Sequence, residues 1–268
     1  MLSHPYIVYV VNCWQSENCG DLDRCARCVR LALPCSWDLT REIWEIGNNA
    51  RTEDLRNEIR QYDSRNRTAF LDDLGPRLLL WAARNGQLRT VELLVEIGVD
   101  LEVIDDDGFT SLHLSALKSH HLVVRALLNS NASTDPHDKF RDETPLHYAA
   151  ECGNGKIIES LLSAGASPNT RSRFLGKTPL HRAVNADNRR AIELLLAGGS
   201  VPDAEDASGK TPLFYAKSGA AVRGLVRWGA RLNARNKAME TPLHYVMWSG
   251  SRGREVISAM LEAGADPN

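Results

Sequence analysis

Thr144-Pro145-Leu146-His147-Tyr148-Ala149-Ala150 decides the reading of this chain, because the chain repeats it. Thr178-Pro179-Leu180-His181 follows 34 residues later, Thr211-Pro212-Leu213-Phe214 33 after that, and Thr241-Pro242-Leu243-His244 a further 30. Upstream, Thr110-Ser111-Leu112-His113 keeps the frame, 34 before Thr144. Later in each copy comes a Leu-Leu pair or its equivalent and then Gly-Ala, as in Leu161-Leu162 with Gly165-Ala166. Self-similarity near this period marks a solenoid.

One unit explains the repetition. Thr144 suits a helix N-cap, and Pro145 at the first helical position has no N–H to leave unpaired. Leu146, Ala149 and Ala150 give a short helix whose small side chains let a neighbour approach closely. Ile157, Ile158, Leu161 and Leu162 form the apolar face of a second helix, and Gly165 sits where that helix must stop in a left-handed conformation. Two short helices cannot bury such faces alone, so they stack on copies of themselves.

At these residues the sequence closely resembles the ankyrin-repeat family, whose units carry a Thr-Pro-Leu-His-x-Ala-Ala signature and a Leu-Leu-x-x-Gly-Ala segment. The resemblance covers residues 74–268. It implies an all-α solenoid of about six helix-turn-helix units joined by β-hairpin loops, starting near residues 77, 110, 144, 178, 211 and 241. The first unit is degenerate. Gly98 lies 21 residues after Arg77, as Gly165 lies 21 after Thr144, so Leu78-Leu79-Leu80-Trp81-Ala82-Ala83 fills its first-helix slot.

The 268 residues are 43% apolar and 25% charged, enough for a substantial core. A net charge of −2 argues against bulk attraction to nucleic acid or anionic membrane. No apolar run approaches the roughly 20 residues that span a bilayer. Tyr6–Val11 is too short for a signal-peptide core, and no Lys or Arg precedes it. The expected location is intracellular, cytoplasmic or nuclear.

Five of six cysteines (Cys13, Cys19, Cys25, Cys28 and Cys35) cluster in residues 1–37, a pattern of metal binding before disulfides in such a chain. Cys25-x2-Cys28-x6-Cys35 resembles half of the binuclear zinc cluster of fungal transcription factors. The other half departs from that pattern, and four Arg against four acidic residues between Cys13 and Arg41 leave no basic DNA-reading surface. Two readings stand. Either Cys19, Cys25, Cys28 and Cys35 hold zinc, with Cys13 as the alternative fourth ligand, or the segment is a remnant with reduced thiols.

Residues 38–73 read as an extension of two short helices. One is capped by Asp38, runs through Ile43, Trp44 and Ile46 and is ended by Gly47; the other is opened by Thr52 and striped by Leu55, Ile59 and Tyr62. The expected role is to cap the first repeat, with a partner-binding helix as the alternative. Inside the array the unit lengths vary. The interval from signature Thr to closing Gly is 21 residues in the third unit but 18 from Thr211 to Gly229, so a helix or a turn is shortened there. It is 23 from Thr241 to Gly264, with Ser249-Gly250-Ser251-Arg252-Gly253 as an enlarged turn. These two units are expected to pack less ideally, and the apolar last helix to lack a polar outer cap. Asp142 and Met239 stand where the family prefers Gly, so their hairpins are expected to turn differently.

Apparent catalytic motifs fail. Gly176-Lys177-Thr178 and Gly209-Lys210-Thr211 lack the earlier glycine of a phosphate loop, where Arg171 and Ala204 stand. The recurring histidines resemble the family's structural hydrogen-bonders bracing adjacent loops. Nothing basic closely flanks Cys152.

The resemblance implies binding of another protein along a concave face of hairpin tips and inner helices, without catalysis, membrane attachment or small-molecule substrate. Carried over by position, the partner-binding candidates are Asp106, Phe109, Phe140, Glu143, Phe174, Lys177 and Lys210 on the tips. Lys118, Glu151, Asn185 and Trp248 are those on the inner helices. Phe140 and Phe174 are expected to be exposed, whereas Phe109 is open between exposure and local packing. The alternative function is a zinc-dependent DNA-binding regulator with the repeats recruiting partners.

Overall fold

The computed structural model describes residues 56–57, 70–248 and 253–267. These fall into two compact units, up to Val103 and from Ile104 onward. The cysteine cluster, most of the 38–73 extension and the turn at 249–252 lie outside the described residues.

In the first unit a π-helical turn, Phe70–Leu74, runs into α1 (Gly75–Asn85), which pairs with α2 (Leu88–Glu96). Leu78, Leu79, Ala82 and Ala83 of α1 are buried, as are Val91, Leu93 and Leu94 of α2, the slots predicted for a degenerate repeat. Arg56 of the extension meets Glu96 on α2 at 2.6 Å.

The second unit stacks helical pairs: α3 (Ser111–Leu117) with α4 (His121–Asn129), α5 (Pro145–Cys152) with α6 (Gly155–Ser163), and α7 (Pro179–Asn185) with α8 (Arg189–Ala197). A four-residue 3-10 turn, Pro212–Tyr215, then precedes α9 (Gly219–Arg227), and α10 (Pro242–Trp248) precedes α11 (Arg254–Glu262). First helices pack on first helices and second helices on second, giving two layers. Leu146, Ala149 and Ala150 from one layer and Ile157, Ile158 and Leu161 from the other are fully buried, as the stacking argument requires. Among the described residues no helix is long and apolar enough to cross a membrane.

The caps follow the repeat. In α3 the Thr110 hydroxyl accepts the His113 N–H while the Thr110 N–H donates to His113 Nδ1, and the same box recurs with Thr144–His147 and Thr178–His181. Second helices close on a left-handed residue, Gly165 at φ 94° and Asn131 at φ 61°. A Cβ at Gly165 would meet nothing within 4 Å, so the backbone conformation and not crowding selects glycine there. The short fifth interval is resolved as a shortened first helix: Ala216 is already extended at ψ 132°, and Phe214 in place of histidine leaves the buried Thr211 Oγ1 without a partner.

The loops are tight fingers. Among the described residues they form no strand, only one isolated bridge between Ile104 and Thr110, because each tip closes within four or five residues. The N–H of Asp105, Asp206 and Asn236 reaches a carbonyl four residues on, and that of Asp138 and Ser172 one five residues on. The side-chain oxygen of each opening residue accepts a further tip N–H, in an Asx-type turn at Asp105, Asp138, Asp206 and Asn236 and through the hydroxyl at Ser172.

Met239 corrects the expectation of a different turn. Its finger has the same backbone bonds as the Gly209 finger, with Met239 at φ 63° in place of glycine. Asp142 likewise adopts φ 57°, a conformation that Asp tolerates.

Candidate partner-binding surface

The fingers are chained tip to tip. Lys139 N–H donates to Asp107 O, Ala207 N–H to Leu175 O, and Lys237 N–H to Ser208 O. Between the second and third fingers the Asp142 carboxylate takes the Arg173 N–H at 2.9 Å. Histidines lock the row from beneath. A backbone N–H can only donate, so Nδ1 of His113, His147 and His181 is an acceptor and Nε2 carries the proton. Nε2 then donates to the carbonyl of Glu143, Lys177 or Lys210, the residue just before the next signature Thr. Burial lowers these three imidazoles to a pKa of about 4, keeping them neutral.

Two fingers fold against the residue that follows the signature's fourth position. Tyr148 donates its hydroxyl to Asp138, and Tyr215 to Asp206; burial, then the adjacent carboxylate, pushes Tyr148 above the ordinary phenol range. Burial alone would raise Asp138, but the N–H groups of Arg141, Glu143 and Phe140 and the Tyr148 hydroxyl hold it below the usual range. Lys177 places its ammonium 4.3 Å from the Tyr215 ring centroid, and Lys210 lies 3.9 Å from that of Tyr245. Burial first, and then the neighbouring Arg182, lowers the Lys177 pKa.

The candidates therefore divide. Phe140 and Phe174 are 70% and 63% exposed, with Leu175 beside Phe174 at 49%. Asp106 and Lys118 are exposed, and Glu151 and Asn185 half-buried. Phe109 resolves as local packing, its ring edge-on to His113 at 5.7 Å and to Tyr148 at 5.4 Å.

Glu143 is a correction. It is fully buried, bonded through Oε1 to the Arg182 guanidinium, with Arg141 at 4.0 Å from Oε2. Burial pushes its carboxyl up, against the pull of both arginines. It cannot contact a partner because an arginine from the next unit occupies it. Trp248 ends α10, and its side chain lies outside the described residues, as do Cys13, Cys19, Cys25, Cys28 and Cys35.

Sequence reasoning missed Tyr148, Arg182, Tyr215 and Tyr245, the floor of this face. The signal was the signature itself: its variable position recurs once per unit and must face the fingers. Met239 and Met247, 64% and 59% exposed, were also missed.

The family description "Ankyrin repeats (3 copies)" matches residues 79–172 and 180–268. An L-asparaginase of Dirofilaria immitis is 39% identical over 71 residues, covering 26% of this chain and 12% of that protein. Palmitoyltransferase AKR1 of Saccharomyces cerevisiae is 36% identical over 61 residues, 23% of this chain and 8% of its own length. Mouse ankyrin repeat domain-containing protein 49 is 34% identical over 90 residues, 33% and 37% of the two chains. The matches thus span 8–37% of these three relatives. With both family matches lying on the paired helices and fingers described above, the chain belongs to the ankyrin-repeat family.

Proposed function

We propose that this chain is an adaptor, a scaffold that holds a segment of another protein against its fingers and first helices and performs no reaction of its own. The observation that carries this reading is the pair Phe140 and Phe174. These rings stand one repeat period apart, both largely exposed, on fingers that hydrogen bonds hold side by side. Exposed aromatics on a rigid frame concentrate binding energy, because little ordering entropy remains to be lost. The recurring histidines offer no competing chemistry. In His113, His147 and His181 both ring nitrogens are engaged, so none is available as a general base.

The test is quantitative copurification from native extract with the wild-type chain and with F140A/F174A, alongside thermal melts. Each truncation should weaken binding by about 1–3 kcal/mol and leave folding nearly unchanged. Equal recovery of every partner by the double variant, or its unfolding, would overturn the reading.

A further inference from the structure

The charge on the fingers is unevenly neutralised. The third, residues 171–177, carries Arg171, Arg173 and Lys177 around Phe174 and Leu175 and contains no acidic residue. Neither Arg171 nor Arg173 has an ion-pair partner among the described residues. The flanking fingers carry both signs, and most of their acids hold partners within the fold. Asp138 and Asp206 accept tip N–H groups and tyrosine hydroxyls, and Asp142 accepts from Arg173 N–H. Glu143 is buried on Arg182, and Glu240 accepts from Asn236. Glu205 remains exposed. The cations around them, Lys139, Arg235 and Lys237, are exposed and carry no internal ion pair among the described residues. The chain is net −2 and the flanking fingers are mixed, so the basic character is local to the third finger. The first finger, Asp105-Asp106-Asp107, has the opposite sign.

We infer that the second and third fingers take an acidic peptide segment in the polyproline II conformation with apolar residues three positions apart, seated on Phe140 and on Phe174–Leu175, its carboxylates on Arg171 and Arg173. The spacing comes from geometry. Stacked helices lie about 8–10 Å apart, and three residues of polyproline II chain, one full turn that brings a side chain back to the same face, span about 9 Å. Successive fingers therefore meet every third residue. The carboxylates select the partner, because a basic or neutral segment would leave the cations without counter-charge in a partly desolvated face. The inference rests on the binding reading above and specifies its partner.

The experiment pans displayed random 12-residue peptides on the full chain, then measures labelled winners by fluorescence polarisation. Expected are sequences rich in Asp and Glu with apolar residues at i and i+3, weakening about tenfold or more from low to high salt. R171E/R173E should weaken them at least about tenfold, while K156E on the second-helix layer changes nothing. Neutral or basic winners that still lose affinity in F140A/F174A would sink this inference and leave the adaptor reading standing. Winners indifferent to F140A/F174A would sink both. A labelled 12-nucleotide oligouridine that binds as tightly and responds to R171E/R173E would replace the acidic peptide by nucleic acid and overturn the proposal.

Discussion

The Arg182 guanidinium reaches back one unit to the Glu143 carboxylate, its Nε 2.5 Å from Oε1, and both side chains are more than nine-tenths buried. This pair joins α7 to the second finger, one repeat before the finger that leads into α7. Removing one partner strands the other charge, so R182M should cost about 3–5 kcal/mol. The double replacement E143Q/R182M should cost clearly less than the sum of the single ones. Urea unfolding of the four chains checks this, and additive costs would show that the two residues act independently.

The buried histidines set the pH response. Their pKa falls from 6.5 to about 4 on folding, so between those values the unfolded chain binds more protons. Their contribution is full above pH 6.5 and is lost as the pH falls toward 4, up to about 3 kcal/mol for each. Imidazole NMR should show three of the eight histidines titrating only as the chain unfolds. Ordinary titration of all eight in the folded state would contradict the assignment.

Thr211 and Thr144 occupy equivalent caps with unequal work. Thr144 bonds His147, whereas the Thr211 hydroxyl is buried without a partner. T144V should cost about 1–2 kcal/mol, and T211V should be neutral or stabilising. Equal losses in thermal melts would mean that Thr211 has a partner after all.

Met239 and Asp142 share a left-handed backbone for different reasons. Met239 is mostly exposed and gains nothing from it, so M239G should stabilise by up to about 1 kcal/mol. Asp142 holds the Arg173 N–H, so D142G should not stabilise. Chemical denaturation would show whether the two differ in sign.

Phe109 and Phe140 should separate packing from binding. F109A opens contacts to His113 and Tyr148 and should cost about 1–3 kcal/mol. F140A should stay within about 0.5 kcal/mol. L146A, in the fully buried layer, should cost about 2–5 kcal/mol through a cavity. Similar melting shifts for Phe109 and Phe140 would erase the distinction.

The sequence alone determined the stack. Thr-Pro-Leu-His and the Leu-Leu and Gly that follow encode a cap, two short helices and a left-handed stop, all local devices repeated in register. Exposure of Phe140 and Phe174 was legible too, because charged neighbours surround them. Only the tertiary structure decided which residues of each finger turn inward. Glu143 precedes the signature like any tip residue, yet Arg182, 39 positions away, buries it. Lys177 and Lys210 are held over tyrosines of the following units, and Thr211 loses its partner because Phe214 replaces a histidine. Each outcome depends on a side chain supplied by another unit or another position of the cap. Repeat periodicity fixes where such a side chain stands, but its chemistry decides what it binds.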